Sequence, residues 1–383
     1  MDFELDEEQQ ALREAARGLL RKRYADFETR RGTVADAPGF DRDTWSRMAE
    51  MGLLGLPFAE DDGGMGAGPV EVAVVAEEVG RVIAPEPFLT SVVLAGGLVA
   101  AVGTAEERAD LLGGLASGAS LVALAHAEPG ARWTATATGV SAEQGDGGWR
   151  LTGVKEPVPQ GAEADVLVVS AALPDGGTGL FTVVADGDGV TRSGYRAPDG
   201  SRAARITLDG APANPLGEAG QDQATAIAAA YDAARVAAAQ QAVGAMQVAL
   251  ETTAGYLNSR EQFGVPLKRF QALTFRAADL YVAVELARSL ALWAAMVHAD
   301  PDTSATERAT AAARAWAQAS KAGRLVGQEA IQLHGGIGMT AEYSVGSYTA
   351  HLTTLDHLLG DARHHLGRLA ATVGDHAEVD PLG

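Results

Sequence analysis

Between Gln223 and His334 the chain reads as three very long alanine-rich stretches, broken only at Gly264-Val265-Pro266 and Asp300-Pro301-Asp302. Alanine is the strongest helix former, and apolar residues recur at helical spacing through each stretch. Long helices of this kind draw their stability from packing, and short connections force neighbours to lie against one another. That combination describes a bundle. Ser304 and Glu307 stand at capping-box spacing before the third stretch, and Gly335 follows it as a stop. A fourth helical run, from about Val345 to Val373, completes the set.

The chain ahead of the bundle is built differently. Its first ~118 residues carry shorter helical patterns. Leu12, Ala15, Ala16 and Leu19 repeat at helical spacing, as do Trp45, Met48 and Ala49 before a stop at Gly52. Pro69 suits a first helical turn, and Thr104 with Glu107 forms another capping box. From about Ser120 the pattern changes to short β-rich runs such as "LVALAHA", "GWRLTGVK", "ADVLVVSA", "GLFTVVA" and "ARITLDG", separated by glycine and aspartate turns. The expected class is α+β: a helical domain over residues 1–118, a compact antiparallel β-domain over 119–213, and a four-helix bundle over 214–383.

Composition narrows the function. A formal charge of −20 argues against nucleic acid or an anionic membrane as partner, while local arginines can still hold a phosphorylated small molecule. With no cysteine, disulfides, zinc–thiolate sites and thiol nucleophiles are excluded. The start, "MDFELDEEQQ", lacks the basic and apolar layout of an export signal, and the apolar run from Phe88 is shorter than the ~20 residues of a membrane span. The expectation is a soluble, cytoplasmic protein.

Two stretches could carry chemistry. "NSREQFGVPLKRFQ" (258–271) places Arg260 at a helix end beside a tight turn and aromatics, which suits a phosphate or pyrophosphate. An arginine there also simply answers the helix dipole. "QLHGGIGMTAEYS" sets Gly335, Gly336 and Gly338 after a helix, where backbone without Cβ atoms admits a ligand closely or merely ends the helix. It is not the dinucleotide fingerprint, which needs a strand before its glycines and a helix after.

Read together, these stretches resemble the acyl-CoA dehydrogenase family. Arg-x-x-Phe-Gly-x-Pro-Leu-x-x-Phe-Gln is similar to its flavin diphosphate segment, and Gln332-x-x-Gly-Gly-x-Gly to its adenine-side segment, contributed across a subunit interface. "WSRMAEMGLLGLPFAEDDGGMG" and "ITLDGAPANPLGEAG" extend the likeness over essentially the full length. The resemblance implies FAD as cofactor, with Arg260, Gln262, Phe263, Leu267, Phe270, Gln271, Gln332, Gly335 and Gly336 at contacting positions. It implies an acyl-CoA thioester as substrate, lined by Asp232 and Arg235, and an electron-transfer flavoprotein or similar acceptor. Asp232 and Arg235, three apart, could equally be a surface ion pair on one helix face.

The departures are as informative. In the family a glutamate removes the α-proton while the β-hydrogen leaves as hydride. That position falls on Leu359, before the matching Gly360; the alternative position, preceding Arg235, is Ala234. Neither is a carboxylate. "AEPGARW" keeps Glu128, Pro129 and Gly130 of the family's Glu-Pro-x-x-Gly-Ser-Asp but not the Ser-Asp. After Lys155, "EPVPQG" replaces Trp-Ile-Thr, and Pro157 and Pro159 have no N–H to donate. "HLLGDARHH" (357–365) spaces His357, Asp361, His364 and His365 along one helical face; the expectation is a hydrated or interface-facing helix end and no metal site, with a histidine base as the less remote alternative. The leading expectation is a subunit of a heteromeric acyl-CoA dehydrogenase whose base-bearing homologue supplies the glutamate, with a homo-oligomer left open. A flavin-dependent oxygenase on the same fold and a non-catalytic structural subunit are the alternatives.

Overall fold

A computed structural model describes residues 5–375, so the extreme ends of the expected first and third domains, residues 1–4 and 376–383, lie outside the described residues. The N-terminal helices begin where side chains satisfy their first free N–H groups. α1 (Glu7–Tyr24) opens on an Asp6/Gln9 capping box, α2 (Phe27–Ala35) on Asp26 and α3 (Arg42–Glu50) on Asp41. α4 (Pro69–Arg81) takes Pro69 as its first residue. The apolar run Phe88–Gly96 winds as a π-helix into α5 (Gly97–Val102), and α6 (Ala105–Ala116) starts on the expected Thr104/Glu107 box. On α1, Ala16 and Leu20 are buried while Ala15 faces solvent.

The β-domain contains β1 (Val122–Ala125), β2 (Val140–Gly145), β3 (Gly148–Pro159), β4 (Val166–Ala172), β5 (Thr178–Val184), β6 (Val190–Arg196) and β7 (Arg202–Pro215). β5 pairs with both β4 and β7, so the sheet curls around a core that includes Val140, Leu151, Leu167, Phe181 and Ile206. The long ladders are antiparallel with one exception. β1 runs parallel to β4, Val122 opposite Val166, and β2 adds a single parallel bridge between Ser141 and Ala172. A parallel pair needs a crossover, here supplied by the intervening β2–β3 hairpin. The expected antiparallel domain is therefore mixed at β1.

α7 (Ala224–Ser259), α8 (Gln271–Ala299), α9 (Ala305–His334) and α10 (Val345–Leu359) form the bundle, with the small hairpin β8 (Glu261–Gln262) and β9 (Val265–Pro266) between α7 and α8. α4 crosses α7 at paired glycines: a Cβ on Gly80 would overlap the Gln241 carbonyl, and one on Gly244 the Glu77 carbonyl. Only glycine allows the backbones so close. By length and composition alone α8, unlike the shorter Phe88 run, could cross a membrane. Here it packs in the bundle, burying Leu280, Ala283, Val284, Ala287 and Ala291.

The expected single last helix is two. Gly360, at φ +94°, ends α10, and Asp361 caps α11 (Ala362–Ala371) by accepting the His364 N–H at 2.9 Å. His357 thus belongs to α10, Asp361 to the break, and His364 and His365 to α11. The common helical face inferred from their spacing does not form, because the chain changes direction between them.

Candidate functional site

A cavity of about 620 Å³ lies between the β-domain and the bundle. Its β-side wall is the loop from His126 to Thr136 with Glu156 and Pro157; its helical wall includes Tyr231, Arg235, His357, Leu358, His364 and Arg368. The loop is fixed from below by a buried ion pair. Lys155, fully buried, donates to Glu128 at 2.6 Å, the Ser170 hydroxyl at 3.0 Å and the His126 carbonyl at 3.1 Å. Glu128 also accepts the backbone N–H groups of Thr138, Gly139 and Val140. Burial alone would raise the Glu128 carboxyl, but Lys155 and the N–H groups of Thr138 and Gly139 hold it down to about 2. His126, between the Ser170 hydroxyl and the Thr134 carbonyl, is pushed by burial down to about 4 and stays neutral.

Trp133 joins the two walls of the cavity. Its indole N–H donates to the His357 carbonyl at 3.0 Å, and its ring lies 5.1 Å from that of His364. Its φ of +57° is unusual for a bulky residue and marks a conformation enforced by these contacts. Trp133, Arg132 and Arg368 were not singled out from sequence. The loss of the family's Ser-Asp at "AEPGARW" was the available signal.

Asp232 and Arg235 are buried rather than superficial, paired at 2.7 Å on α7. Arg235 Nε donates to the Leu359 carbonyl at 3.0 Å, and the guanidinium lies over the Tyr231 ring, 5.6 Å from its centroid. Leu359 and Ala234 are both completely buried. His365, also buried, places Nε2 3.0 Å from the same Leu359 carbonyl, while burial and then nearby cations push its imidazole down to about 3. A carbonyl can only accept, so Nε2 carries the proton. The cavity walls hold two carboxylates: Glu128, locked as described, and Glu156, paired with Arg205 at 2.8 Å. Among the described residues, no cluster of histidine and acidic side chains has the arrangement of a metal site.

The nine residues matched to a flavin segment sit elsewhere. Arg260 caps α7, Gln262 lies in the β8–β9 hairpin, and Phe263, 93% exposed, sits at its turn with φ +55°. Leu267 and Phe270 are half-buried, and Gln271, Gln332, Gly335 and Gly336 are exposed. The two stretches meet at one end of the bundle, where the Tyr256 ring stacks 4.5 Å from that of His334 and both meet Tyr343. None of the nine lines the 620 Å³ cavity. Around Gly335 and Gly336, an added Cβ would meet nothing within 4 Å.

A family model described as "Acyl-CoA dehydrogenase, N-terminal domain" matches residues 6–119, and "Acyl-CoA dehydrogenase, C-terminal domain" matches residues 224–373. A probable acyl-CoA dehydrogenase, YngJ, of Bacillus subtilis (strain 168) is 31% identical over 363 residues, 90% of this chain and 92% of its own. The chain belongs to the acyl-CoA dehydrogenase family. Acyl-CoA dehydrogenases are oxidoreductases acting on CH–CH groups. Among solved structures, a variant of the Tcur3481–Tcur3483 steroid ACAD is 36% identical, superposes with a TM-score of 0.86, and covers 96% of this chain and 98% of its own. The ChsE4–ChsE5 complex from Mycobacterium tuberculosis is 28% identical with a TM-score of 0.86, covering 99% and 100%.

Proposed function

We propose that this chain is the subunit of a heteromeric acyl-CoA dehydrogenase that lacks its own proton-abstracting glutamate and completes an FAD site with a base-bearing homologue. The observation that carries the reading is the aliphatic character of Leu359 and Ala234, both fully buried next to the wall residues Leu358 and Arg235 of a cavity whose own carboxylates are already engaged by Lys155 and Arg205. A carboxylate paired and held at about 2 is too weak a base for a carbon acid. The likeness to the Tcur3481–Tcur3483 and ChsE4–ChsE5 assemblies supports a two-chain arrangement.

The residues present fit half of a flavin site. Arg260 forms no ion pair among the described residues, Phe263 stands out in solvent, and the open backbone at Gly335 and Gly336 leaves room for a ligand held against another chain. The β-side of the chain's own cavity fits less well, since Pro157 in its wall and Pro159 two residues on offer no N–H. When bound, FAD would supply hydride acceptance. This chain's part would be to bind the diphosphate through Arg260 and Gln271, and the adenine side through Gln332 and the glycines. Arg235 and Asp232, if a thioester enters the cavity, would fix its position rather than move its proton. Exposed Phe275, Val282 and Leu286, along α8, supply apolar surface for the partner chain. An electron-transfer flavoprotein would then reoxidise the assembly in the cytoplasm.

The test is co-purification with a base-bearing homologue. The expected result is a flavin spectrum on the complex that bleaches anaerobically with an acyl-CoA, and loses bleaching when the homologue's glutamate becomes glutamine. Bleaching by this chain alone, or a mixture that neither associates nor binds flavin, refutes the reading.

A further inference from the structure

The β-side loop of the cavity is fixed at two points and unsupported between them. Glu128, locked by Lys155, gathers the N–H groups of Thr138, Gly139 and Val140 onto its carboxylate and so ties the neck of the loop shut. A second anchor is the Thr134 carbonyl, which accepts from His126 Nε2–H at 2.7 Å, while Nδ1 of the same ring takes the Ser170 hydroxyl at 2.8 Å. Between the anchors run Pro129, Gly130, Ala131, Arg132 and Trp133. Among the described residues, the one hydrogen bond these five make beyond their own loop is the Trp133 indole N–H on the His357 carbonyl.

That bond holds a conformation the backbone does not favour. Trp133 sits at φ +57°, which costs a bulky residue free energy that its contacts must return. The contacts lie at the surface: the His357 carbonyl, the His364 ring at 5.1 Å, and the Arg132 guanidinium 5.8 Å from the indole centroid. Together they return about as much as the strain takes. Release costs the acceptor little, because His357 is exposed and water can replace the indole. The next carbonyls are held more firmly, Leu359 by buried Arg235 and His365, and Gly360 by the buried Trp316 indole. At the other end of the segment, Gly130 has φ +81° and open space where a Cβ would stand, so the backbone can turn there without collision.

We infer that residues 129–133 form a flap, turning at Gly130 and latched by the Trp133 indole on the His357 carbonyl, whose opening admits ligands to the 620 Å³ cavity. Ala131, Arg132 and Trp133 all line that cavity, and Trp133 bonds the loop to its helical wall. The flap operates whether or not the cavity of this chain takes a thioester or a flavin ring.

The chain has no cysteine, so a single one placed inside the cavity reports entry. Ala228→Cys puts a thiol on the α7 wall, and Ala105→Cys puts one at the exposed start of α6 as a control. Alkylation of the full chain by neutral iodoacetamide is followed by mass, each rate divided by that of the same variant unfolded in urea. Ala228→Cys should react roughly tenfold or more slowly than Ala105→Cys. Adding Trp133→Phe keeps a ring but removes the N–H, and should speed the Ala228→Cys reaction about fivefold, the loss of one hydrogen bond. Trp133→Ala should speed it at least as much, and neither change should alter Ala105→Cys. Circular dichroism checks folding; should Trp133→Ala fail to fold, Trp133→Phe decides. Equal reactivity at the two positions before Trp133 is changed overturns the proposal. So does an unchanged rate with Trp133→Phe, even where Trp133→Ala accelerates, since the ring is then a fixed plug without a latch.

Discussion

Replacing Lys155 with methionine separates the electrostatic from the steric role of the buried pair beneath the cavity loop. Methionine fills much of the same volume but removes the ammonium that donates to Glu128, Ser170 and the His126 carbonyl. Orphaning one member of a buried pair typically costs about 3–5 kcal/mol. Here Glu128 keeps three backbone donors, so the low end, about 3 kcal/mol at pH 7, is expected. The pH dependence has a definite sign. Glu128 is held at about 2, below its ordinary 4.5, so its contribution is present above about pH 4.5 and is lost as pH falls toward 2. Without Lys155 much of that depression disappears, and the difference between the two proteins should be widest above pH 5 and narrow in acid. Urea unfolding followed by circular dichroism at pH 7 and pH 4 gives both numbers. Adding Glu128→Gln completes a cycle in which the double variant should lose about 2 kcal/mol less than the sum of the singles. A Lys155→Met cost below about 1 kcal/mol at pH 7, or strict additivity with Glu128→Gln, would refute the pairing as the element that fixes the loop.

Three further outcomes are expected. Gly244→Ala should cost more than about 3 kcal/mol in urea unfolding, because the new methyl must push the α4 backbone off α7. Burial lifts Glu86 to about 7, so its penalty is absent below about pH 4.5 and complete above about 7; wild-type stability should fall through that window, and Glu86→Gln should flatten the fall in urea midpoints at pH 5 and pH 8. Phe263→Ser should leave the melting temperature within a degree or so, since the side chain is 93% exposed, while weakening association with a base-bearing homologue in sedimentation velocity.

How far the sequence reached depended on whether the deciding interaction was local. Thr104 with Glu107 and Ser304 with Glu307 could be read as helix starts because a capping box closes within three residues, and both form. Gly360 carries the same kind of local information: a glycine at φ +94° ends α10, Asp361 starts α11, and His357 is thereby separated from His364 and His365. The parallel pairing of β1 with β4 was invisible, since nothing in Val122–Ala125 specifies a partner across the β2–β3 hairpin. Asp232 and Arg235 were placed together by spacing, but their burial depends on Leu359, more than a hundred positions away. The flap is no more legible. Trp133 and the His357 carbonyl that holds it lie 224 positions apart, and neither residue alone specifies the other.

The length of α7 has a mechanical meaning. The helix carries Asp232 and Arg235 near one end and delivers Arg260 at the other, about 37 Å away at 1.5 Å per residue. Gly244, in between, is clamped by α4 with no space to slide. Wall and surface segment are thus graduations on one ruler, and a neighbouring chain that grips the far end also sets its distance from the cavity. Inserting a single residue between Gly244 and Arg260 would advance that end by about 1.5 Å and turn it by about 100°, carrying Arg260 to another side of the molecule. Within this span the protein can exchange side chains freely on its outer surface, but it cannot change its count.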